Sequence, residues 1–378
     1  MDKKVLTQKI KDKALSLGFA KVGITTADDF TEYADDLRNR TPAYDFLIHK
    51  RNGPLAGAYP RTAMPDAKSI VCVVFNYSDI AYPAKLTQSI GRTYLGRCYD
   101  PLPDTLNGAR LSLFRDFLRD NGCKVGEGVQ IPERMACARA GITTFGRNNF
   151  AYADGCGSFI ILNSFLIDTE LEYDSPTVER RCPPNCHLCI DSCPTGALNE
   201  PGKLIPTRCL GFNHWFATEF VPEDIRVASG SRIHGCDICQ EACPRNRKPL
   251  RNAVRQDPFL ELLAHEFDLE KVLLMDEAYY RRVIHPIMYN YIRNTQIFQR
   301  NAAIALGNSG EVSHVPALAK ALDTCAPLVR EYAAWALGRI GGEQAKNALL
   351  YSNTREQTER VTNAISMALS RISQVKRQ

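Results

Sequence analysis

Clustered cysteines constrain this chain more than any other feature. Eight of its fourteen cysteines lie between Cys182 and Cys243, in a chain of 378 residues. Two segments, 186–194 and 236–244, have the same pattern, C-x2-C-x3-C-P. A disulfide framework is not expected in a large chain without an export signal, whereas clustered thiolates are typical ligands of iron and zinc. The pattern therefore predicts a metal-binding segment.

The spacing favours two four-iron clusters, because in such a run the last cysteine, followed by proline, ligates the other cluster. Two crossed ligand sets are predicted. The first 4Fe–4S cluster takes Cys182, Cys186, Cys189 and Cys243. The second takes Cys193, Cys209, Cys236 and Cys239. The spacing from Cys182 to Cys186 is one residue longer than in bacterial ferredoxins, which predicts a local bulge. Two zinc sites are the alternative, since C-x2-C pairs also bind zinc.

Residues 1–175 alternate between helical and strand patterns, which predicts an N-terminal α/β domain. Its predicted elements are an initial helix, strands at 18–24, 69–77 and 159–167, and helices at 106–121 and 133–140. Residues 176–255 are rich in proline and cysteine, and such a segment needs metal to stabilise a small core. We therefore predict a twin 4Fe–4S, ferredoxin-like domain there.

Residues 256–378 contain an internal repeat. An Ala-Leu step recurs in the segments 300–307, 331–338 and 362–370, at intervals of 31 and 32 residues. Paired helices with this period and with small residues on one face predict a short HEAT-like solenoid. An ordinary helical bundle is the alternative. The predicted fold class is α+β with three domains.

Composition and the chain's beginning exclude several classes of protein. The net charge of +5 is mild and does not by itself indicate nucleic-acid binding. No apolar run approaches the ~18 residues of a membrane span, and residues 1–10 do not form a signal peptide, so we expect a cytoplasmic protein. Neither a G-x-G-x-x-G fingerprint nor a P-loop is present. These residues indicate an iron–sulfur redox protein.

Several motifs together carry a resemblance to a known family. They are Leu-Gly-Phe-Ala-Lys-Val-Gly-Ile at 17–24, Pro-Asp-Ala-Lys-Ser-Ile-Val at 65–71, Gly-Arg-Cys-Tyr at 96–99, Ala-Gly-Ile-Thr-Thr-Phe-Gly-Arg-Asn at 140–148, the second cluster motif at 232–246 and the first repeat at 300–308. With the twin-cluster segment and the helical tail, they resemble epoxyqueuosine reductase. The resemblance covers most of the chain and is strongest from 182 to 310.

The resemblance implies a cofactor, a substrate and an electron donor. The family uses cobalamin to reduce the epoxide of epoxyqueuosine in tRNA to queuosine, so residues 1–175 are expected to form a cobalamin-type domain. Its predicted cobalamin contacts are Gly146, Arg147 and Asn148, where a glycine lets the backbone approach a ligand closely. A low-potential donor such as ferredoxin or flavodoxin is expected to supply the electrons.

The resemblance also implies a proton donor. The family has an aspartate six residues before the position of Glu133, and here that place is taken by Glu127. A glutamate can act as a general acid, so Glu127 is the predicted catalytic residue. Asp100 and Asp104 are the alternatives. The neighbouring proline is displaced to position 132, and residues 97–110 also depart from the family pattern.

Basic residues suggest how tRNA could be bound, since Lys and Arg neutralise phosphates and aromatic rings stack on bases. The first group consists of Arg245, Arg247, Lys248, Arg251 and Arg255. In the C-terminal helices, Arg281, Arg282, Arg293 and Arg300 alternate with Tyr279, Tyr280, Tyr289, Tyr291 and Phe298. The alternative is a solvated charged face with aromatic residues in the helical core.

Three functions are compatible with these features. The first is a cobalamin-dependent epoxyqueuosine reductase acting on tRNA. The second is a related corrinoid iron–sulfur reductase that acts on a small molecule by reductive elimination or dehalogenation. The third is an electron-transfer protein without catalysis of its own, which the large N-terminal domain disfavours.

Overall fold

A computed structural model describes residues 2–48, 53–99, 103–127, 130–177, 182–217, 220–287 and 294–375. Its strands are β1 (Lys21–Thr26), β2 (Ser69–Asn76), β3 (Ile80–Ala81), β4 (Thr144–Phe145), β5 (Ala151–Tyr152), β6 (Ile160–Ile167) and β7 (Arg255–Gln256). The mixture of helices with short antiparallel strands confirms the predicted α+β class.

Many helices are a single turn long. The first half of the chain contains α1 (Lys3–Ser16), α2 (Thr31–Asn39), α3 (Asp45–Ile48), α4 (Pro54–Gly57), α5 (Pro60–Ala63), α6 (Ala84–Thr87), α7 (Arg92–Leu95), α8 (Leu106–Asp120), α9 (Glu133–Arg139) and α10 (Leu188–Asp191). The second half contains α11 (Leu210–Asn213), α12 (Glu223–Ser229), α13 (Ile238–Glu241), α14 (Pro244–Arg251), α15 (Pro258–Glu266), α16 (Leu269–Leu273), α17 (Glu277–Tyr279), α18 (His285–Ile287), α19 (Thr295–Ser309), α20 (Val315–Thr324), α21 (Pro327–Ile340), α22 (Gly342–Asn353) and α23 (Glu359–Val375).

The chain divides into two compact units whose segments alternate along the sequence. Unit one consists of 1–81, 96–206 and 238–255. Unit two consists of 82–95, 207–237 and 256–378. The division into three domains at 175 and 255 stays a prediction.

A three-stranded antiparallel sheet is the centre of unit one. The strand order is β1-β2-β6, with Ile24 opposite Val71 and Cys72 opposite Ser164. The central strand β2 is buried along its first seven residues, as its run of β-branched residues predicts. The three predicted strands are confirmed. The first strand begins at Lys21 rather than at Gly18, because Gly18 has a φ of +86° in the turn after α1.

The predicted helices of unit one are also confirmed. Helix α1 begins where the Asp2 carboxylate accepts hydrogen bonds from the N–H groups of Lys4 and Val5, at 2.9 and 3.2 Å. Helix α8 begins where Thr105 accepts from the N–H of Gly108 at 3.1 Å. Helix α9 packs against β2 and β6, and this places its first residue, Glu133, beside the sheet.

Unit two is built on the predicted repeats. Helices α19, α21 and α23 stack in order, with small residues at their contacts. A Cβ added to Gly307 would lie 2.7 Å from the Cα of Ala336, and one added to Gly338 would lie 2.7 Å from the Cα of Ala368. Glycine therefore permits the close approach on which the repeat depends. None of the described helices has the length and apolar composition that crossing a bilayer requires.

Candidate metal centre and active site

The two cysteine segments adopt the same local structure. In each, the second cysteine lies in a four-residue helix, Cys189 in α10 and Cys239 in α13. In each, the N–H of the third cysteine donates to the carbonyl three residues earlier, at 3.1 Å for Cys193 and 3.2 Å for Cys243. Matching residue patterns thus give matching conformations, and each turn presents its cysteines from one short loop.

The first predicted ligand set comes together within unit one. Burial, together with the nearby thiolates of Cys243, Cys182 and Cys186, raises the pKa of Cys189 to about 11. Thiolates gathered in this way repel one another unless cations lie among them. A 4Fe–4S cluster supplies that positive charge and takes four thiolate ligands. The donor set therefore fits the cluster and supports the predicted ligand set.

Cys193 has surroundings that favour a thiolate ligand. Burial raises the pKa of Cys193, but hydrogen bonds that include those from the N–H groups of Thr195 and Leu198 lower it more, so that the net shift is downward. The Thr195 hydroxyl lies 3.7 Å from the Cys193 sulfur. The other predicted ligands of the second cluster include Cys209 and Cys236, which belong to unit two. The second ligand set stays a prediction.

A buried polar network holds the loop that carries Cys243. Asn246 Nδ2 donates to the Gln240 carbonyl at 2.7 Å and to Ser158 Oγ at 2.9 Å, and its Oδ1 accepts from the Ser158 N–H at 2.8 Å. Ser158 Oγ in turn donates to Gln240 Oε1 at 2.9 Å. A Cβ at Gly157 would lie 2.2 Å from Asn246 Oδ1, so only glycine admits this network. The network fixes the position of the Cys243 backbone.

The residues predicted to contact cobalamin are engaged within the protein. Asn148 is buried, and its Nδ2 donates to Tyr152 Oη at 2.9 Å and to the Cys239 carbonyl at 3.2 Å. A Cβ at Gly146 would lie 2.4 Å from the Tyr152 ring, so packing already requires glycine there. Arg147 donates to a backbone carbonyl of the cluster segment at 2.6 Å. These contacts do not form a cradle for a cofactor, and the three residues do not fit as its site.

The predicted proton donor lies on the surface. Glu127 has a side chain that is 72% exposed, and its carboxylate forms an ion pair with Arg119 at 2.5 Å. The next two residues, 128–129, lie outside the described part of the chain, as does Asp100. Asp104 is in the turn that precedes α8. The role of Glu127 stays a prediction.

A second carboxylic acid was missed by sequence reasoning. Glu133 is partly accessible, but protein atoms surround its carboxyl group, and this desolvation raises its pKa to about 8 although the backbone of Ser164 supplies a hydrogen bond that lowers it. An acid with this pKa is mostly protonated at neutral pH and can donate a proton. Glutamate is common in the first turn of a helix, so the position of Glu133 at the start of α9 did not indicate a buried carboxyl group.

The basic group on α14 is only partly available to a ligand. Arg247, Lys248 and Arg251 are exposed. Arg245 instead turns inward: its Nη2 donates to Thr144 Oγ1 at 2.7 Å, and its guanidinium lies 4.1 Å from the centre of the Tyr152 ring. Its Nη1 is buried and has no hydrogen-bond partner among the described residues. The assignment of Arg245 to a tRNA surface is therefore wrong on this geometry, because its cation is held inside unit one.

The described arginines of the second basic group are buried or paired with carboxylates. Arg300 is fully buried, Arg281 pairs with Glu277 at 2.7 Å, and Arg282 pairs with Glu266 at 2.9 Å. Arg255 of the first group likewise pairs with an aspartate at 3.0 Å. Tyr280 and Phe298 lie in the helical core. Residues 288–293, which include Tyr289, Tyr291 and Arg293, lie outside the described residues.

Comparisons with known proteins agree with these features. The family described as "4Fe-4S double cluster binding domain" matches residues 181–246, and the HEAT repeats family matches residues 293–370. The chain is similar to the epoxyqueuosine reductase of Staphylococcus aureus, with 29% identity over 95% of each chain, and to that of Bacillus cereus, with 29% identity over the full length of both. It also resembles a crystal structure of epoxyqueuosine reductase with a tRNA-Tyr epoxyqueuosine-modified tRNA stem loop. The TM-score is 0.83 and the identity 27%, over 98% of this chain and 99% of that one.

These matches decide between the alternatives that the sequence left open. The cysteine segment is a twin 4Fe–4S cluster-binding domain rather than a pair of zinc sites, and the C-terminal helices are HEAT repeats rather than an ordinary bundle. The likeness to complete relatives extends from end to end in sequence and in fold. The comparisons confirm the predicted resemblance to epoxyqueuosine reductases over the whole chain and indicate that the protein is an oxidoreductase.

Proposed function

We propose that this chain reduces the epoxide of epoxyqueuosine in tRNA and leaves the alkene of queuosine. The observation that carries the proposal is the end-to-end likeness to epoxyqueuosine reductases, one of them in complex with a modified stem loop. The twin-cluster domain supports it, because the reaction is a reduction.

The reaction needs two electrons and two protons, since the epoxide oxygen leaves as water. A 4Fe–4S cluster passes one electron at a time, so two clusters can hold both electrons. We expect a low-potential ferredoxin or flavodoxin to supply them in the cytoplasm. Cobalamin is proposed on the resemblance alone, and when bound it would supply a strongly reducing cobalt centre. Gly146, Arg147 and Asn148 do not form its site.

The exposed face of α14 suits contact with tRNA. Arg247, Lys248 and Arg251 lie there without an acidic residue between them. Cations placed in this way release counterions from a phosphate backbone, which makes binding weaken steeply as salt increases. We therefore propose that this face contacts tRNA phosphates.

The function can be tested on protein purified without oxygen after growth with cobalamin. We expect about eight iron atoms and about one cobalt per chain. With a chemical or ferredoxin-type reductant, an epoxyqueuosine stem loop should be converted to the queuosine form, and its binding should weaken as salt increases. The same stem loop without the epoxyqueuosine base is the control substrate.

The other outcomes assign one of the other functions. Iron and cobalt without stem-loop conversion or binding would point to a corrinoid reductase for a small molecule. Iron without cobalt, even after cobalamin is added, would contradict the proposed cofactor and leave an electron-transfer protein.

Glu127 is our proposed donor of the proton to the departing oxygen, because it occupies the place of the family's aspartate. Its exposed carboxylate is free to meet a substrate once the ion pair with Arg119 opens. We expect Glu127→Gln to lower kcat about 10²-fold to 10⁴-fold, the usual contribution of a positioned acid. The measurement is single-turnover reduction of the stem loop, with iron and cobalt contents as controls.

Glu133→Gln is the matched comparison, because it removes the other candidate acid with the same change of atoms. We expect it to lower kcat less than about tenfold. A large loss with Glu133→Gln and none with Glu127→Gln would transfer the role to Glu133, whose carboxyl has a pKa of about 8.

A further inference from the structure

A tyrosine stands beside one ligand of the first cluster. Tyr152 is 2% exposed and lies in β5 of unit one. Its hydroxyl is a hydrogen-bonding neighbour of the Cys243 sulfur and of the side chains of Asn148 and Ser158. A tyrosine hydroxyl carries its proton at neutral pH and can donate it in a hydrogen bond to the sulfur.

The surroundings direct this proton toward the sulfur. Asn148 Oδ1 accepts from the N–H of Phe150 at 3.3 Å, so its Nδ2 faces Tyr152 and donates to the phenol oxygen at 2.9 Å. The phenol oxygen thus accepts one hydrogen bond and has its own proton left to give. Ser158, the other nearby hydroxyl, already accepts from Asn246 and donates elsewhere. A charged thiolate is a stronger acceptor than a hydroxyl oxygen, so the Cys243 sulfur is the preferred acceptor of the phenol proton.

Arg245 adds a positive charge to the same place. It follows Cys243 by two residues, and its guanidinium lies 4.1 Å from the centre of the Tyr152 ring. One nitrogen, Nη2, donates to Thr144, while Nη1 is buried without a partner among the described residues. A buried guanidinium N–H without an acceptor is costly. A sulfur atom of a bound cluster would satisfy it, since cluster sulfurs accept hydrogen bonds.

We propose that Tyr152 and Arg245 form a donor pair that raises the reduction potential of the first cluster, Tyr152 through its hydrogen bond to Cys243 and Arg245 through its buried cation. Donors to cluster sulfurs stabilise the reduced, more negative form and so raise its potential. The pair makes the first cluster the better electron acceptor. The inference rests on the ligand set of the first cluster and does not require the tRNA substrate.

The test is an EPR-monitored redox titration of the iron-loaded full chain, comparing wild type with Tyr152→Phe and Arg245→Met. Tyr152→Phe keeps the ring beneath Arg245 and removes only the hydroxyl. We expect each variant to retain about eight irons. In each variant, the equilibrium constant for reduction of one cluster should fall about tenfold. For a one-electron couple this lowers the reduction potential by about 59 mV, while the other cluster keeps its potential.

The matched controls are Tyr44→Phe and Arg247→Met. Tyr44 is a buried tyrosine of the same unit whose hydroxyl donates to the Leu204 carbonyl at 2.9 Å, and Arg247 is an exposed arginine two residues from Arg245. We expect the controls to leave both potentials unchanged. Potentials in Tyr152→Phe and Arg245→Met that equal those of the controls would overturn the proposal, as would an equal shift of both clusters.

Loss of a cluster in one variant does not leave the question open. If Tyr152→Phe binds only about four irons, the potential of Arg245→Met decides by the same criterion, and the reverse holds if Arg245→Met loses iron. Stem-loop reduction is measured separately. If the proposed function is wrong, the wild-type protein will not reduce the stem loop, whatever the cluster potentials are. If this inference is wrong, Tyr152→Phe and Arg245→Met will keep the potentials of the wild type.

Discussion

Replacing Cys189 by alanine should remove the first cluster and lower the iron content from about eight to about four atoms per chain. Cys189 is buried beside Cys182, Cys186 and Cys243, the other members of the first predicted ligand set. Because cluster binding also contributes to the folding free energy, the melting temperature should fall as well. Iron analysis and the optical spectrum of the anaerobic protein measure the effect.

Electron flow should be lost together with the cluster. We expect turnover to fall at least about 10²-fold, because a missing cluster interrupts the supply of electrons to the reaction. Cys325→Ala is the matched control: Cys325 is half-buried, lies in unit two outside the cysteine segment, and its sulfur lies 4.0 Å from the Leu273 carbonyl. The control should keep about eight irons. Eight irons in Cys189→Ala would contradict the first ligand set.

Replacing Arg300 by leucine should destabilise the protein by about 3–5 kcal/mol, the largest stability effect that we expect. Arg300 is 0% exposed, and burial lowers its pKa to about 10. Its guanidinium donates to the carbonyls of Asn213 (3.0 Å) and Ala217, and to Asn301 Oδ1 at 3.0 and 2.9 Å. Leucine would remove the guanidinium donors of both carbonyls, one on buried Asn213 and one on partly buried Ala217, and each buried group left unsatisfied costs about 1–3 kcal/mol.

Thermal and urea unfolding measure this loss, which we expect to lower the melting temperature by about 10 °C. Arg300→Lys should recover little of it, because an ammonium group cannot reproduce the planar fork of the guanidinium. Arg281→Leu is the matched control, since Arg281 has a side chain that is 77% exposed and pairs only with Glu277 on the surface. Such a pair is worth about 0–1 kcal/mol. Equal effects of Arg300→Leu and Arg281→Leu would refute the structural role of Arg300.

The features that were predicted correctly depend on local sequence patterns. The cysteine spacing defines turns of a few residues, and both turns form as their matching residues require. The strand β2 and the helices α8 and α9 follow from hydrophobic periodicity, which depends on neighbours along the chain. The recurring Ala-Leu step identified the stacked helices, and small residues such as Gly307 and Gly338 lie where their backbones meet.

The environments of single polar residues depended on long-range packing. In the sequence, Arg300 resembled the other basic residues of an aromatic and basic stripe. In the structure it is buried, because it donates hydrogen bonds to carbonyls about 85 residues away along the chain. Asn148 looked like part of a ligand-binding glycine loop, yet it holds Tyr152 instead. The raised pKa of Glu133 likewise arises from protein atoms that fold around its carboxyl group.

The sequence by itself determined which residues can bind iron, where the main strands and repeats lie, and which family the chain resembles. These properties follow from the spacing of residues, which can be read directly from the sequence. Only the tertiary structure decided which charges are buried and which polar atoms meet, as it did for Arg245 and Tyr152 beside Cys243. Desolvation and hydrogen bonding depend on every neighbour in space, and most of those neighbours are distant in sequence.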